Sequence, residues 1–427
     1  MKRVVVSPAK SFSLSIDSVA PDKSISHRSV MFAMLADGES VIENFLRAED
    51  TLNSLEIVKN LGADVTDDGT TIRISSKGIQ EPFEILDCGN SGTGMRLFCG
   101  LLSSAEGHFV LTGDKYLRRR PMKRVTAPLI SIGAKIDGRS EGDLAPLSIR
   151  GASLKAFDYT SKIASAQVKS CMILAALRAD AACTYREPEL SRDHTERMLQ
   201  GMGADLHVDG LTTTIKPLDG LLSPLKIRVP ADPSSAFFFA VAAAITPESA
   251  IVLEGVTLNP TRIEAFKALE RMGADISYEL TDNKYEPIGN ITVKYAPLHG
   301  ITIEDNISWL IDELPALAIA MACAEGESLV KNAEELRVKE SDRIATVVEG
   351  LRACGIEVHE YKDGYRVVGG ELKKAEVESD GDHRIAMSFI IAGLRCGMEV
   401  RDLECINTSF PNFFELLQKI TDVEFVS

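Results

Sequence analysis

The sequence has no long hydrophobic run and no excess of basic residues. Its longest apolar run, 236–245, is well short of the ~18 residues that a membrane-spanning helix needs. The 427 residues include 47 basic and 62 acidic side chains, so the formal net charge is −15. Such a charge repels nucleic acid and anionic lipid, whose binding depends on neutralised phosphates. We therefore expect neither a membrane protein nor a nucleic-acid-binding protein.

Motifs for metals, nucleotides and disulfide chemistry are missing as well. The eight cysteines form no C-x-x-C pair, and the seven histidines form no H-E-x-x-H or zinc-like cluster. The glycine-rich segment 89–94 matches neither the P-loop nor the Rossmann pattern, and no G-x-S-x-G is present. The start of the chain also has no signal-peptide pattern. These absences predict a cytoplasmic protein with free thiols and without a metal site.

An internal repeat organises the chain. A glycine flanked by apolar residues recurs roughly every 70–80 residues, each time after a stretch with apolar residues at helical spacing. Glycine just past a helix end is the usual left-handed cap, and the apolar residue after it begins a strand. A sixth helix, without the glycine, is predicted at 413–420. The repeated segments are 61–65, 132–136, 202–206, 272–276 and, less closely, 354–358.

A second series of helices alternates with the first. Its members are almost entirely apolar, as in 237–245 and 387–394, so we expect them to be buried on every side. Each repeat therefore holds two helices and several strands, which predicts an α/β (α+β) fold of six units in two globular halves. The strand-like first 20 residues are expected to close the sheet of the last unit. The apolar helices are predicted to begin near Ser24, Gly92, Ser165, Ser234, Glu313 and His383.

The beginnings of these apolar helices combine small polar residues with lysine or arginine. Serine, aspartate and asparagine are ordinary N-caps and need no function. The added cations are different, because a helix N-terminus disfavours positive charge unless an anion joins it. A helix N-terminus with nearby Lys or Arg is a favourable phosphate or carboxylate site. The segments with these beginnings are 22–28, 89–96, 165–169, 232–235, 312–315 and 382–384.

Two further charged segments, 114–124 and 337–343, precede helices of the first series. The basic residues of 114–124 form a local cluster in a chain whose net charge is negative, which indicates a small polyanionic ligand. The charges of 337–343 are equally consistent with mutual surface ion pairs. If they are functional, Glu340 and Asp312 supply proton-transferring carboxylates beside an anion site. The residues alone thus predict a two-domain enzyme for small anionic substrates, with Asp312, Glu340 and Lys23 as acid/base groups.

These motifs closely resemble those of the 5-enolpyruvylshikimate-3-phosphate synthases. The resemblance implies transfer of the enolpyruvyl group of phosphoenolpyruvate to the 5-hydroxyl of shikimate 3-phosphate, with release of phosphate and without a metal or organic cofactor. It implies two similar domains, each of three βαβαββ units, in an inside-out α/β barrel. The domains would be 22–230 and 1–21 plus 231–427, in a monomer with its active site in the interdomain cleft. The matching segments are 22–28, 89–96, 120–121, 165–167, 337–343 and 382–384.

The resemblance also implies a role for each matching position. Asp312 is the expected base for the 5-hydroxyl, and Glu340 or Lys23 is the expected acid that protonates the methylene carbon of phosphoenolpyruvate. The positions implied to bind shikimate 3-phosphate are Lys23, Ser24, Arg28, Ser165, Ala166, Gln167, Asp312 and Lys339. The positions implied to bind phosphoenolpyruvate, and the herbicide glyphosate in its place, are Lys23, Gly92, Arg120, Gln167, Arg343 and Arg384.

The chain departs from many members of this family at three places. Ala166 replaces a serine, which is typical of a variant subgroup with Ser-Ala-Gln; Leu97 replaces a proline; and Ser409 lies where some members have a lysine that binds phosphoenolpyruvate. One alternative is the sister reaction on a UDP-sugar, but that family carries a cysteine in the loop that corresponds to 114–120, and none is present there. A second alternative is a ring-like binding protein without catalysis.

Overall fold

The structure is a computed structural model that describes residues 3–426, with the side chain of Thr408 left out. Twelve of the helices in these described residues fall into the two predicted series. The apolar, buried helices are Lys23–Ala33, Gly92–Leu102, Ala166–Ala176, Pro233–Ile245, Leu314–Ala322 and His383–Cys396. The outer helices are Glu49–Asn60, Lys123–Ser131, His194–Gly201, Glu264–Arg271, Arg343–Ala353 and Phe413–Leu417. Shorter helical segments are Leu117–Arg119, Arg139–Gly142, Ile307–Leu310, Glu334–Val338 and Glu404–Thr408.

The described strands form six four-stranded sheets, each with one parallel and two antiparallel pairs. In sheet order, the first three are Lys226–Arg228, Ser40–Glu43, Thr71–Ser75 and Asp64–Asp67; Leu86–Asp87, His108–Thr112, Leu144–Arg150 and Lys135–Gly138; and Asp158–Thr160, Cys183–Arg186, Thr212–Ile215 and Leu206–Asp209. The other three are Asp275–Asp282, Ile288–Lys294, Ala250–Thr257 and Ser13–Ile16; Thr302–Ile303, Glu327–Val330, Gly364–Val368 and Glu357–Tyr361; and Ala375–Glu378, Met398–Arg401, Arg3–Val6 and Val423–Val426. The predicted α/β class with six βαβαββ units is confirmed.

The chain divides into two compact units of three sheets each. One, here called the N-terminal unit, comprises residues 21–229 with 284–286. The other, the C-terminal unit, comprises 3–20, 230–283 and 287–426. In the N-terminal unit, Lys226–Arg228 returns to pair in parallel with Ser40–Glu43, so the last strand of the unit completes its first sheet.

The first 20 residues supply strands to two sheets of the C-terminal unit. Arg3–Val6 pairs with Met398–Arg401 and Val423–Val426, so it completes the last sheet as expected. Ser13–Ile16 instead pairs in parallel with the start of Ala250–Thr257, which belongs to the fourth sheet. The expectation that the whole segment closes the last unit was therefore wrong for its second strand. A parallel partner more than 230 residues away leaves no mark in the local sequence.

The repeated glycines end the outer helices in the predicted conformation. Their φ angles are all in the left-handed region, which glycine enters without steric cost. The helix at Phe413 ends at Leu417 rather than at the predicted residue 420. The glycines are Gly62, Gly133, Gly203, Gly273 and Gly355.

The buried helices form the interior of each unit. Every residue of Pro233–Ile245 is buried, and so is every residue of Leu314–Ala322, in agreement with their apolar sequences. Helices Gly92–Leu102 and Ala166–Ala176 pack closely at Gly100, where an added Cβ atom would lie 2.2 Å from the carbonyl oxygen of Cys171. Among the described residues, no helix is both long and apolar enough to cross a membrane.

Candidate active site

The buried helices of the N-terminal unit begin at polar side chains that cap them. Asp22, Ser91 and Ser165 each accept a hydrogen bond from the backbone N–H three residues later, at 2.8, 2.9 and 3.5 Å. Most of the functional residues predicted on these helices lie at the caps or in the first turns, and Arg28 lies in the second turn. The backbone N–H groups of the first turns lie at the positive ends of the helix dipoles, where an anion is stabilised.

The two predicted cations of the first buried helix are held by different partners. The ammonium group of Lys23 lies 2.6 Å from the carboxylate of Asp50, and its side chain stays partly exposed. Arg28 is almost fully buried, and its guanidinium donates to Thr195 at 2.7 Å and to Ser170 at 2.9 Å. It also donates to the backbone carbonyl of Ser24 at 3.0 Å. These three contacts with neutral oxygens hold the Arg28 guanidinium in one orientation.

A second group of residues surrounds the start of helix Gly92–Leu102. Gly92 lies against the guanidinium of Arg120, so that a Cβ atom there would be 3.1 Å from it. The side-chain amide of Gln167 accepts a hydrogen bond from Arg96 and donates one to Thr93 at 2.9 Å. Gln167 thus has a fixed amide orientation next to Gly92, as a residue that contacts a substrate requires.

His27 lies within the motif 22–28, but no role was predicted for it. His27 is completely buried, and its two ring nitrogens are 2.7 Å from the hydroxyl of Ser54 and 3.2 Å from that of Ser91. Burial lowers the pKa of His27 to about 3, so the imidazole is neutral. It joins three helices, and one of its partners caps the helix that begins at Gly92. A histidine between two cationic residues of the motif was the only available sequence signal.

The C-terminal unit gathers its predicted residues around one buried arginine. The guanidinium of Arg343 is 2.7 Å from Asp382, 2.7 Å from Glu340 and 3.2 Å from Asp312. Burial alone would lower the pKa of Arg343, but the three carboxylates outweigh it and raise the pKa above the ordinary value. Arg343 is therefore a permanent cation, and the interpretation of 337–343 as mutual surface pairs does not apply to it.

Asp312 lies between two cations. Its carboxylate is 3.4 Å from the ammonium of Lys339 and 3.2 Å from the guanidinium of Arg343. About a fifth of its side chain is exposed. A carboxylate in this position is a candidate acceptor for a proton.

Arg384 follows the N-cap of the last buried helix. Asp382 accepts the backbone N–H of Arg384 at 2.8 Å, and the Arg384 guanidinium lies over the ring of Phe238, 5.9 Å from its centroid. Ser409 supplies a hydroxyl group and no cation. Its hydroxyl is buried and has no hydrogen-bond partner within residues 3–426.

The structure thus places each predicted residue in one of two sets. Each set combines helix N-termini with lysine or arginine, and the second set adds carboxylates that suit proton transfer. The set of the N-terminal unit is Lys23, Ser24, Arg28, Gly92, Arg120, Ser165, Ala166 and Gln167. The set of the C-terminal unit is Asp312, Lys339, Glu340, Arg343 and Arg384. The supporting residues His27, Thr93, Arg96 and Asp382 had no assigned role.

Comparisons with known proteins agree with this chemistry. Residues 9–417 match the family model of EPSP synthase (3-phosphoshikimate 1-carboxyvinyltransferase). The chain is 77% identical to the 3-phosphoshikimate 1-carboxyvinyltransferase of Sulfurimonas denitrificans, over 100% of both chains. It is 65% identical to that of Nitratiruptor sp., over 99% of both. A solved structure of EPSP synthase from Acinetobacter baumannii is 40% identical, with a TM-score of 0.91 over 100% of both chains. The chain therefore belongs to the EPSP synthase family of transferases.

Proposed function

We propose the following assignment of residues for the reaction of this family. The chain transfers the enolpyruvyl group of phosphoenolpyruvate to the 5-hydroxyl of shikimate 3-phosphate and releases phosphate, a step of the shikimate pathway. The observation that carries the assignment is the buried Arg343, which is surrounded by Asp312, Glu340 and Asp382. This arrangement puts a permanent cation for an anionic substrate next to carboxylates that transfer protons.

Shikimate 3-phosphate is bound by the first set of helix N-termini. Its phosphate accepts hydrogen bonds from Ser165 and from backbone N–H groups of the helix that follows, where the dipole favours a dianion. Lys23 and Arg28 contribute positive charge, and Ser24 and Gln167 contact the ring. Ala166 offers a backbone N–H group and no hydroxyl. Asp312 and Lys339 act at the 5-hydroxyl.

Phosphoenolpyruvate is bound by arginines. A planar guanidinium forms paired hydrogen bonds with a carboxylate or a phosphate, so Arg120, Arg343 and Arg384 suit its two anionic groups. Gly92 lets the ligand approach the helix backbone, and Gln167 and Lys23 contact it as well. Glyphosate occupies the same place. No metal or organic cofactor takes part in this assignment.

The chemistry requires one base and one acid. Asp312 accepts the proton of the 5-hydroxyl group while the hydroxyl oxygen bonds to carbon 2 of phosphoenolpyruvate. Glu340 or Lys23 donates a proton to the methylene carbon, which becomes a methyl group. The same group, Glu340 or Lys23, then takes a proton back from that methyl group as the bond between carbon 2 and the phosphate oxygen breaks and the double bond forms again. The proton held by Asp312 passes to the released phosphate, so atoms and charges balance.

Residues of both units act on the two substrates in this proposal. The N-terminal unit supplies Lys23, Arg120 and Gln167, whereas the C-terminal unit supplies the base Asp312 and Arg343, so each unit alone has part of the chemistry. We propose domains of 22–230 and 1–21 plus 231–427. We also propose that the protein is a monomer located in the cytoplasm. In this proposal it binds neither nucleic acid nor membranes.

The test is release of inorganic phosphate from phosphoenolpyruvate by the full chain, with shikimate 3-phosphate or a UDP-sugar as the acceptor. Turnover with shikimate 3-phosphate alone supports the proposal. Preferential turnover with the UDP-sugar would support the sister reaction, and turnover with neither acceptor would support a non-catalytic binding protein. A Lys23→Ala variant and an Asp312→Asn variant should each lose turnover, and full activity of either would contradict joint action of the two units.

A further inference from the structure

Glu313 has a buried carboxylate that no step above uses. It follows Asp312 directly, and only 1% of the residue is exposed. It precedes helix Leu314–Ala322 at the N-cap position, yet its side chain makes no capping hydrogen bond. A buried carboxylate is costly unless other groups compensate its charge, so its neighbours indicate its purpose.

One oxygen of Glu313 is held from the side of helix Pro233–Ile245. The Ser234 hydroxyl donates a hydrogen bond to Glu313 Oε1. The same hydroxyl oxygen accepts a hydrogen bond from Arg262 at 3.1 Å, and Arg262 also donates to Asp232 at 2.8 Å. Because Ser234 accepts from Arg262, its single proton is directed at Glu313. The carboxylate therefore has a defined position.

The same oxygen of Glu313 also faces Arg384, which is proposed to bind phosphoenolpyruvate. Glu313 Oε1 is 3.8 Å from Arg384 Nη1, close enough for strong attraction but too far for a hydrogen bond. Within residues 3–426, neither Arg384 Nη1 nor Glu313 Oε2 has a hydrogen-bond partner, although both atoms are buried. Arg384 also lies in the first turn of its helix, where the dipole disfavours a cation.

We propose that Glu313 is a positioning residue that acts on phosphoenolpyruvate through Arg384. Its charge compensates the guanidinium and holds it beside Phe238. Because the two groups are not hydrogen-bonded, Glu313 leaves Nη1 of Arg384 without a partner among the described residues, and the partly exposed guanidinium keeps a donor that can pair with an anionic group of the substrate when the substrate binds. This inference rests on the proposed role of Arg384.

The decisive variant is Glu313→Gln, which keeps the size of the side chain and its ability to accept from Ser234 but removes the charge. The Michaelis constant for phosphoenolpyruvate should rise about tenfold, while that for shikimate 3-phosphate and the melting temperature change little. The matched control is Glu264→Gln. Glu264 is also buried in the C-terminal unit, but its ion partner is Arg271, at 3.0 Å, which is not a site residue. Glu313→Asp, which keeps the charge, should recover part of the loss.

A double-mutant cycle separates action through Arg384 from a purely structural role. In an Arg384→Ala background, Glu313→Gln should add little to the Michaelis constant for phosphoenolpyruvate. Additive effects, an equal rise for both substrates, or a wild-type constant in Glu313→Gln would each overturn the inference. If Glu313→Gln does not fold, Ser234→Ala decides instead, because it frees the carboxylate and should raise the same constant selectively. An Arg384→Ala variant with normal affinity for phosphoenolpyruvate would instead contradict the proposed role of Arg384.

Discussion

Gly92 lies directly against the guanidinium of Arg120. A Cβ atom added to Gly92 would be 3.1 Å from Cζ and from Nη1 of Arg120 and 3.3 Å from Nη2. Gly92 is the first residue of its helix and is not among the glycines with a left-handed backbone. We therefore attribute the glycine at this position to the limited space beside Arg120. A backbone conformation that other residues avoid does not explain it.

Gly92→Ala should accordingly weaken the binding of phosphoenolpyruvate and leave the fold intact. The new methyl group displaces the Arg120 guanidinium, so the Michaelis constant for phosphoenolpyruvate should rise several-fold while that for shikimate 3-phosphate hardly changes. Glyphosate, the longer molecule, should lose more affinity than the substrate does. Thermal melting and separate titrations of the three ligands check this.

The contrasting variant is Gly100→Ala in the same helix. There the new Cβ atom would lie 2.2 Å from a backbone oxygen of Cys171, which cannot move easily. We expect a loss of roughly 1–3 kcal/mol in the free energy of unfolding. If Gly92→Ala has the same low melting temperature as Gly100→Ala and loses affinity for both substrates equally, Gly92 is not explained by the space beside Arg120.

Asp312→Asn should abolish proton transfer while preserving the shape of the side chain. Removal of a general base usually costs ~10²–10⁴-fold in rate, so kcat should fall within that range. Affinity for both substrates should stay within a few-fold of wild type. Steady-state kinetics with the exposed Asp305→Asn as the control measure both quantities, and near-normal turnover would show that Asp312 is not the base.

Arg343→Lys should lower the affinity for phosphoenolpyruvate and also destabilise the C-terminal unit. Arg343 contacts Asp382, Glu340 and Asp312 with different nitrogens, and a lysine ammonium cannot reach all three in this geometry. The unpaired buried charge should lower the free energy of unfolding by about 2 kcal/mol or more.

The control for Arg343→Lys is Arg337→Lys. Arg337 also binds two carboxylates, those of Asp342 at 2.8 Å and Glu360 at 2.9 Å, but its side chain is a quarter exposed. Exposed ion pairs contribute little, so this variant should remain stable and active. Equal effects of the two substitutions on stability and on phosphoenolpyruvate affinity would contradict the role given to Arg343.

The buried His27 should make stability depend on pH. Its pKa is about 3 in the folded chain and near 6.5 when exposed, so the unfolded state binds more protons between these values. The free energy of unfolding should therefore fall as the pH decreases through 6.5 towards 3, with His27 accounting for about 2 kcal/mol between pH 7 and pH 5.

Denaturant titrations of His27→Asn at pH 5, 6 and 7 test this dependence. Asparagine bonds to hydroxyl groups but does not titrate, so the variant should lose less stability than wild type between pH 7 and pH 5. His207→Asn, which replaces an exposed histidine of the same unit, is the control for the loss of a histidine as such. An unchanged pH dependence in His27→Asn would contradict the prediction.

Much of the architecture was evident in the sequence because its signals are local. A glycine such as Gly62 or Gly273 ends a helix through its own φ angle, and an apolar stretch such as Pro233–Ile245 predicts a buried helix by composition alone. The starts of the buried helices were predicted to within about two residues for the same reason, since N-caps act over a single turn. The family resemblance then predicted the substrate-binding positions.

Only the tertiary structure shows which strands pair and which side chains contact each other. The sequence could not show that Ser13–Ile16 pairs with the fourth sheet, since strand pairing depends on which edge the folded chain leaves open. It also could not show that His27 joins three helices, or that Glu313 faces Arg384 without a hydrogen bond. Side-chain partners come from elements far apart in the chain, and distances of a few tenths of an ångström determine whether a charge is bound or available.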